Sequence, residues 1–448
     1  MSKKVATLCV GQDGALVQET RGLLRAGAAK IDITPDEPVY LGGYSLRKTR
    51  ARRRQGRLYA RAVAFDDGVR RFVIMMADLI GIDGAEIRQR IAAATGITPE
   101  CVFAGDIHNH AAPISRPRSK DAGASSPTNE RTRWFSCFHR AVTQVVADAL
   151  ADLQPVKIGA GVGSSRIAMN RRKRMQDAES TQTFDENNSS QHFGEYRTKK
   201  PVMLREFEGV VRLGANPLGP IDDEVGVLRI DKWNGEPLAV LANYACHGTS
   251  LGGRNAIICG DWIGRAMNVL EERLGALPMY LQGASGDINP RFVGGLDGHI
   301  DSIQRTDELG EEFAREVARV YNQTAPQACE GAIIRAAHRL ILLPRCYREV
   351  LSNFRNTTVE VPVSAVRIAD MTWVSFPGEM FHEIGLQVKH ASPTAMTFLC
   401  GYTNGGIGYF PTQAAFAEGG YEPAASHLDP MAEKHYLRQM AEVMAELR

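Results

Sequence analysis

The hydrophobic positions of this chain fall into short runs that predict β-strands alternating with helices. The clearest run is VRRFVIMMADLIGI at residues 69–82, which is typical of a buried strand. A helical pattern follows at residues 84–95, and a short apolar run at residues 101–104 predicts another strand. This part of the chain therefore reads as strand, helix, strand.

A second unit of the same kind begins with a predicted hairpin. Apolar runs at residues 225–230 and 238–244 flank an Asn-Gly dipeptide at 234–235, which favours a tight hairpin turn. Behind the hairpin, a helix is predicted from Asp261, as its N-cap, to about Leu274. A further strand comes after that helix.

A third unit starts at Met371 as a strand that leads into a helix, and a strand at residues 396–400 follows it. The three units share an architecture but no repeat period. Helices that alternate with apolar strands predict an α/β protein, with mixed β-sheets and flanking helices. In such sheets, ligands bind on loops beyond the carboxyl ends of the strands.

Composition narrows the class of protein. The 448 residues are 44% apolar and 23% charged, as in an ordinary globular protein, and the net charge of +2 gives no reason to expect a nucleic-acid partner. The longest apolar run is too short to cross a bilayer and contains Asp78, so we expect no transmembrane segment. Oligomeric state is left open by the sequence.

The eight cysteines are dispersed without a Cys-x-x-Cys pair, which indicates reduced thiols. The basic N-terminus reaches Gln12 and Asp13 before any long apolar core, unlike a secretion signal. We therefore predict a cytoplasmic protein. The polar segment at about residues 166–209 is expected to be an insertion or lid, and the basic run at 45–57 to be solvated charge or an electropositive rim.

Candidate chemistry appears on the loops after the predicted strands. His108 and His110 form a His-x-His pair, and alternate residues share a face if the backbone is extended. His247, Glu379 and Tyr409 follow other predicted strands. Each has an ordinary structural explanation by itself, but two imidazoles, a carboxylate and a phenol together suit zinc.

The same loops carry motifs that resemble the amino-terminal catalytic domain of the neutral/alkaline non-lysosomal ceramidases. The motifs occur in family order over most of the chain: AGAAKIDITP at 26–35, GGY at 42–44, GRLYARAVAF at 56–65, HNHAAP at 108–113, Asn170-Arg171, NYACHGTS at 243–250, GDINP at 286–290, FPGE at 376–379 and GYTNGGIGYFPTQAAFAEGGYEPAAS at 401–426. The resemblance implies one ceramidase-like catalytic domain over residues 1–448.

The resemblance also implies roles for individual residues. One zinc ion per chain is expected to bind His108, His247, Glu379 and Tyr409. The family uses the second histidine of the pair, an arginine and a second tyrosine in catalysis, and these correspond to His110, Arg171 and Tyr421.

Some positions depart from the family pattern. Asn289 stands where the family has a serine in its site. We therefore expect the amide side chain of Asn289 to bind the substrate in place of that serine. The loop Ala111-Ala112 replaces a Ser-Gly, and the sequence has only a terminal helix where the family has a further domain. These departures favour a substrate that is smaller or more soluble than ceramide.

The expected function is therefore zinc-dependent hydrolysis of an amide (N-acyl) bond, with a small-molecule or lipid-like substrate. Zinc supplies a nucleophilic water at neutral pH and polarises a carbonyl group. Two alternatives stay open. One is an esterase or lactonase that uses the same site, and the other is a non-catalytic protein that zinc stabilises.

Overall fold

A computed structural model describes residues 22–44, 47, 49–115, 129, 132–175, 210–294, 300–346 and 357–448. The strands are β1 Arg25–Asp32, β2 Arg53–Gln55, β3 Tyr59–Asp66, β4 Arg71–Ala77, β5 Val102–Asp106, β6 Gln154–Ser164, β7 Ala168–Met175, β8 Val210–Asn216, β9 Glu224–Lys232, β10 Pro237–Tyr244, β11 Ile257–Cys259, β12 Leu277–Gln282, β13 Ile288–Pro290, β14 Gln327–Ala328, β15 Arg335–Pro344, β16 Thr358–Ile368, β17 Met371–Ser375, β18 Glu379–Met380, β19 Met396–Cys400 and β20 Tyr409–Phe410. The helices are α1 Gly84–Thr95, α2 Arg133–Ala151, α3 Asp261–Leu274, α4 Ile300–Gln323, α5 His382–Ala391, α6 Gln413–Glu418, α7 Tyr421–Ala425 and α8 Ala432–Ala445, with a short 3₁₀ turn at Pro99–Cys101.

The largest sheet has the strand order β12-β10-β9-β6-β1-β3-β4-β5, and β14 pairs with β6. The pairs β10/β12 and β4/β5 are parallel, and the remaining neighbours are antiparallel. The predicted α/β class with mixed sheets is therefore confirmed.

Residues of β3 and β4 alternate between two hydrophobic cores, because successive side chains of a strand point to opposite faces. Ala62 and Val73 pack in the core that holds helices α1 and α2. Val63, Phe65 and Phe72 face the other way, into the core that holds part of a second sheet. The large sheet is thus covered on both faces.

The second sheet has the order β15-β16-β17-β19, with β17 and β19 parallel. Trp373 lies on the face of this sheet that packs against the large sheet, and its ring centroid is 5.8 Å from that of Phe65. On the opposite face, Val374 packs in a core that includes Tyr436 and Met440 of α8. Helices, two sheets and a last helix therefore form four layers.

Three small sheets complete the fold: β13-β7-β8, β11-β2 and β18-β20. Strand β7 covers the start of the polar segment expected at 166–209, and Arg171 and Arg172 within it are buried. Residues 176–209 of that segment lie outside the described residues, as do 45–46 and 48 of the basic run.

The helix predicted at residues 84–95 is confirmed as α1, whose N-cap is Asp83. The helix predicted from Asp261 is also present, but the prediction that Asp261 is its N-cap is wrong. Gly260 takes the N-cap position, while Asp261 has a left-handed φ of 54°. Its carboxylate accepts the backbone N–H groups of Ser250 and Leu251 instead, at 3.0 Å each, so it serves the loop after His247.

Four loops meet at one edge of the two large sheets. They follow the carboxyl ends of β5, β10, β17 and β19, and each of these strands has a parallel neighbour. His108, His247, Glu379 and Tyr402 lie on these loops or directly after them. Among the residues that the structure describes, no helix has the length and apolar character needed to cross a bilayer.

Candidate metal centre and active site

Backbone pairing joins the His108–His110 loop to the loop that carries His247. Asn109 and Gly248 form a parallel bridge, and the N–H of His110 donates to the carbonyl of Gly248 at 2.9 Å. The buried side chain of Asn109 also donates to the carbonyl of Cys259 at 2.7 Å. The two histidine loops are therefore fixed against each other by main-chain contacts.

Glu379 lies between His108 and His247, the two candidate histidine ligands. Its Oε2 atom is 3.2 Å from Nε2 of His247 and 3.6 Å from Nε2 of His108. The other nitrogen of His247, Nδ1, lies 2.9 Å from the carbonyl of Ile288 and can donate to it. If Nδ1 carries the proton, Nε2 of His247 is unprotonated, and its lone pair lies on the side of Glu379.

Tyr409 reaches the same place through the small β18/β20 sheet, in which Glu379 and Tyr409 are directly paired. The hydroxyl of Tyr409 accepts a hydrogen bond from Nη2 of Arg171 at 3.1 Å. Burial raises the pKa of Tyr409 well above its usual value, and the nearby Glu379 carboxylate raises it further. Without a bound cation, the phenol is therefore neutral.

The Arg171 guanidinium connects several parts of the site. It donates to Oε1 of Glu422 at 2.8 Å and to Oδ1 of Asn289 at 3.1 Å, and Nη1 lies 3.4 Å from Nε2 of His247. Burial opposes its charge, but the surrounding Tyr409 and Glu422 hold the pKa of Arg171 well above its usual value. Arg171 is consequently a permanent buried cation at the edge of the site.

Both ring nitrogens of His110 are buried, and neither has a hydrogen-bond partner. Its ring centroid lies 5.0 Å from that of His108 and 5.7 Å from that of His247, while Tyr44 packs edge-on at 4.9 Å. Gly43, with a φ of 87°, leaves no room for a Cβ, which would lie 2.3 Å from Nδ1 of His110. The ring is thus positioned by packing.

The three imidazoles could hold a metal ion, since one nitrogen of each lies within 4.8 Å of the others. Burial lowers the pKa of His108 to about 3 and of His247 to about 3, and that of His110 well below its usual value. They are therefore neutral at pH 7, the form that binds metal. The buried ring nitrogens of His110, which have no partners, also fit a site completed by a bound group.

Tyr421 is the first residue of α7, and its ring lies 5.4 Å from the ring of Tyr409. Asn289 lies on β13, one residue after the carbonyl that accepts from His247. The structure thus brings all eight predicted site residues into one neighbourhood: His108, His110, Arg171, His247, Asn289, Glu379, Tyr409 and Tyr421.

Three residues of this neighbourhood were missed at the level of sequence. Tyr402 stacks on His108, Asp106 lies two residues before that histidine, and Glu422 pairs with Arg171. Tyr402 lies two residues after the strand β19, and a position just after a strand is the signal that identified the other candidates. Asp106 at the end of β5 offered a similar signal, whereas nothing local marks Glu422 as a partner of an arginine 251 residues away.

Residues 24–298 match the family described as neutral/alkaline non-lysosomal ceramidase, N-terminal. The matched part is more than half of the chain. The chain belongs to this family. Membership implies a hydrolase that acts on amide bonds, and the family's substrates are lipid-like amides.

Solved structures of ceramidases have the same fold as this family member. One is described as "Ceramidase complexed with C2"; it is 18% identical, with a TM-score of 0.73, and the match covers 95% of this chain and 75% of that one. The other is a neutral ceramidase from Pseudomonas aeruginosa, 19% identical, with a TM-score of 0.73 and coverage of 95% and 74%. A comparison with curated protein sequences finds no match.

Proposed function

We propose that this ceramidase-family protein is a zinc-dependent hydrolase that cleaves an amide (N-acyl) bond. The observation that carries the proposal is the position of Glu379, whose Oε2 atom lies within 3.6 Å of a nitrogen of both His108 and His247. A carboxylate and two neutral imidazoles at one point form a ligand set that suits zinc. The pairing of Glu379 with Tyr409 adds a phenol to that set.

In this proposal, His108, His247, Glu379 and Tyr409 hold one zinc ion per chain. The carbonyl of Ile288 accepts from Nδ1 of His247, which fixes the tautomer that a metal ligand requires. The chemistry that zinc supplies at such a site is a water of lowered pKa and a polarised carbonyl group.

The remaining groups act on the substrate. His110 has two ring nitrogens without partners beside His108 and His247, so it is the group placed to take a proton from the attacking water and pass it to the leaving amine. Tyr421, beside Tyr409, donates to the oxyanion that develops on the carbonyl oxygen. Arg171 orients a polar group of the substrate and holds Tyr409 in position.

We propose a substrate that is smaller or more soluble than long-chain ceramide. The reason is Asn289, whose amide oxygen accepts from Arg171 at 3.1 Å, where the resemblance leads us to expect a serine hydroxyl. An asparagine side chain fills more of the site and offers no hydroxyl. The loop Ala111-Ala112 is likewise buried and apolar.

Substrate profiling tests this part of the proposal. Initial rates should be measured with short N-acyl amides, with the corresponding esters and lactones, and with long-chain ceramide in detergent micelles. Higher kcat/KM on the short amides is expected. Efficient release of fatty acid from micellar ceramide would contradict the substrate proposal, and faster turnover of the esters would reassign the bond that is cleaved.

Metal content tests the site itself. Purified protein should contain about one zinc ion per chain, as measured by inductively coupled plasma mass spectrometry. His108→Ala and His247→Ala should lose the metal, whereas Asp231→Asn, a buried carboxylate at the far end of β9, should retain it. Unchanged zinc content in both histidine variants would remove the assignment.

The extent of the catalytic domain and the location of the protein in the cell are also part of the proposal. A single catalytic domain over residues 1–448 is supported by the shared core of the two large sheets, in which Phe65 packs on Trp373. The polar segment that starts at residue 166 is proposed as an insertion that contributes Arg171 to the site. The cytoplasmic location is supported by described cysteines that are free thiols, such as Cys101 and Cys246.

A further inference from the structure

His108 has an unusual backbone for the residue that it is. Its φ of 56° lies in the left-handed region, which side chains other than glycine rarely adopt. Such a conformation persists only where the surroundings determine it, and it is commonest at functional sites. Two residues supply those surroundings, Asp106 and Tyr402.

Asp106 contacts both the backbone and the ring side of His108. Its Oδ1 atom accepts the N–H of His108 at 2.8 Å and lies 4.0 Å from Nδ1 of the ring. Oδ2 accepts the N–H of Ile82 at 3.0 Å, and the side chain is almost fully buried. The two nitrogens of His108 therefore face two carboxylates, Nε2 toward Glu379 and Nδ1 toward Asp106.

Tyr402 covers the face of the same ring. The two rings are stacked, with centroids 4.0 Å apart and an interplanar angle of 24°. Tyr402 also has a left-handed φ, of 56°, and its hydroxyl lies 3.3 Å from Oγ of Ser285. It is buried, at 7% exposure, so its position is set by the protein.

The segment after Tyr402 is joined to the strand that leads to His108. Asn404 donates its N–H to the carbonyl of Ala104 at 2.8 Å, and its side-chain oxygen accepts the N–H of Ala104 at 2.9 Å. Gly105 and Thr403 form a bridge between these contacts and the stacked rings. The segment after β19 is therefore held against β5, and this pairing places Tyr402 on the ring of His108.

We infer that Asp106 and Tyr402 are positioning residues for His108, and that together they hold its Nε2 atom toward the metal. Asp106 fixes the left-handed backbone and faces the outer nitrogen, and Tyr402 prevents rotation of the ring. The inference rests on the proposed function, in which His108 is a metal ligand. Neither residue is required to touch the substrate.

The test measures metal affinity rather than turnover. The metal-free protein is titrated with Zn²⁺ in competition with a chromophoric chelator, and the visible spectrum of the Co²⁺-loaded protein reports ligand geometry. Asp106→Asn keeps an oxygen for the N–H of His108 but removes the carboxylate near Nδ1 and turns an amide NH2 toward the N–H of Ile82. We expect it to weaken Zn²⁺ binding by about 10–100-fold, as loss of an outer partner of a metal-bound histidine usually does.

The tyrosine is tested in two steps. Tyr402→Phe keeps the stacked ring and loses only the contact with Ser285, so its Zn²⁺ affinity should match the wild type. Tyr402→Leu removes the stack and should weaken binding by about tenfold and shift the Co²⁺ spectrum. Recovery of the wild-type values by phenylalanine separates ring stacking from a general loss of stability.

Matched controls lie at the opposite end of the large sheet. Asp231 and Tyr321 are also a buried carboxylate and a buried tyrosine, joined by a 3.0 Å hydrogen bond. Asp231→Asn and Tyr321→Leu should leave Zn²⁺ affinity and the Co²⁺ spectrum unchanged. Circular dichroism verifies folding of every variant, and the comparison of Asp106→Asn with Asp231→Asn decides the role of Asp106 whether or not Tyr402→Leu folds.

Wild-type affinity in Asp106→Asn, or in a folded Tyr402→Leu, would overturn the inference for that residue. His108→Ala, measured alongside, keeps this outcome apart from failure of the proposed function. If His108→Ala loses Zn²⁺ while the Asp106 and Tyr402 variants bind normally, the metal site stands and the positioning roles fall. If His108→Ala binds Zn²⁺ as the wild type does, the proposed metal site itself is wrong.

Discussion

The rings of His247 and His108 face the same carboxylate, but the protein holds them by different means. His247 is fully buried, and its N–H and its Nδ1 both lie within hydrogen-bonding reach of the carbonyl of Ile288, at 3.2 Å and 2.9 Å. Its own carbonyl accepts from the indole of Trp262 at 2.8 Å. Main-chain groups therefore orient this imidazole before any metal binds.

The rings of His108 and His110 depend on side-chain packing instead. Nδ1 of His108 and both nitrogens of His110 have no hydrogen-bond partner, and the rings rest against Tyr402 and Tyr44. One half of the candidate site is thus preorganised by the fold, and the other half is completed by neighbouring side chains and by whatever group binds there. The two halves should respond differently to substitution.

The largest expected effect is the loss of a ligand from either half. His247→Ala and His108→Ala should each lose zinc and reduce hydrolysis to the detection limit. His247→Ala should also lower the free energy of unfolding of the metal-free protein by about 1 kcal/mol more than His108→Ala, because it deletes a hydrogen bond to the Ile288 carbonyl. Urea denaturation of both apo variants measures the difference, and equal losses would contradict the comparison.

Substitutions of residues beside the proposed ligands, with the ligands themselves unchanged, should separate turnover from zinc retention. His110→Ala and Tyr421→Phe should keep zinc and lower turnover by about 10²–10³-fold, the usual effect of losing a proton-transfer group or a preorganised donor. Single-turnover kinetics and metal analysis on the same samples give both quantities. If His110→Ala loses zinc as completely as His108→Ala, all three imidazoles are ligands.

Acid should not distinguish the two halves. Burial lowers the pKa of His108 and of His247 to about 3, so between pH 6.5 and 3 the unfolded chain binds more protons than the folded one. The stability of the metal-free protein should therefore fall as pH decreases below about 6.5, by up to about 1.4 kcal/mol per pH unit for each histidine. Above pH 7 these groups should contribute no pH dependence.

Urea unfolding at pH 7, 6 and 5 measures this slope. His108→Gln and His247→Gln should each reduce the slope by a similar amount. A slope that only one of the two substitutions reduces would mean that one imidazole is protonated in the folded protein.

The smallest expected effect comes from Asn289, which contacts Arg171 at the edge of the preorganised half. Asn289→Ser should leave zinc content unchanged and raise the ratio of kcat/KM for ceramide over a short amide by about 3–10-fold, the worth of about one hydrogen bond. Rates on both substrates give the ratio. No change in the ratio would remove Asn289 as a determinant of specificity.

Local pattern was enough to predict the helix at residues 84–95, the hairpin around Asn234-Gly235 and the α/β class, all of which the structure contains. The reason is that strand and helix periodicities are properties of neighbouring residues. The four layers could not be read in this way, because the contact of Phe65 with Trp373 joins residues 308 positions apart in the chain.

The residues of the candidate site show the same difference between local pattern and long-range contact. His108, His247, Glu379 and Tyr409 were found because each follows a strand and has a side chain that binds metals. The ion pair of Arg171 with Glu422 was not, since nothing near either residue indicates the other. Asp261 was misassigned for a similar reason: Gly260 takes the N-cap position, and the carboxylate of Asp261 also accepts from a loop ten residues earlier, which local pattern does not indicate.

Tyr402, Tyr409 and Glu422 lie more than 200 positions after the residues near 108 and 171 that they contact. During synthesis the amino-terminal part of a protein leaves the ribosome first. The His108 loop therefore emerges some 300 residues before the tyrosine that stacks on it. Until these residues have been synthesised, the nascent chain carries an unfinished pocket, so a metal ion bound as proposed would load only after them.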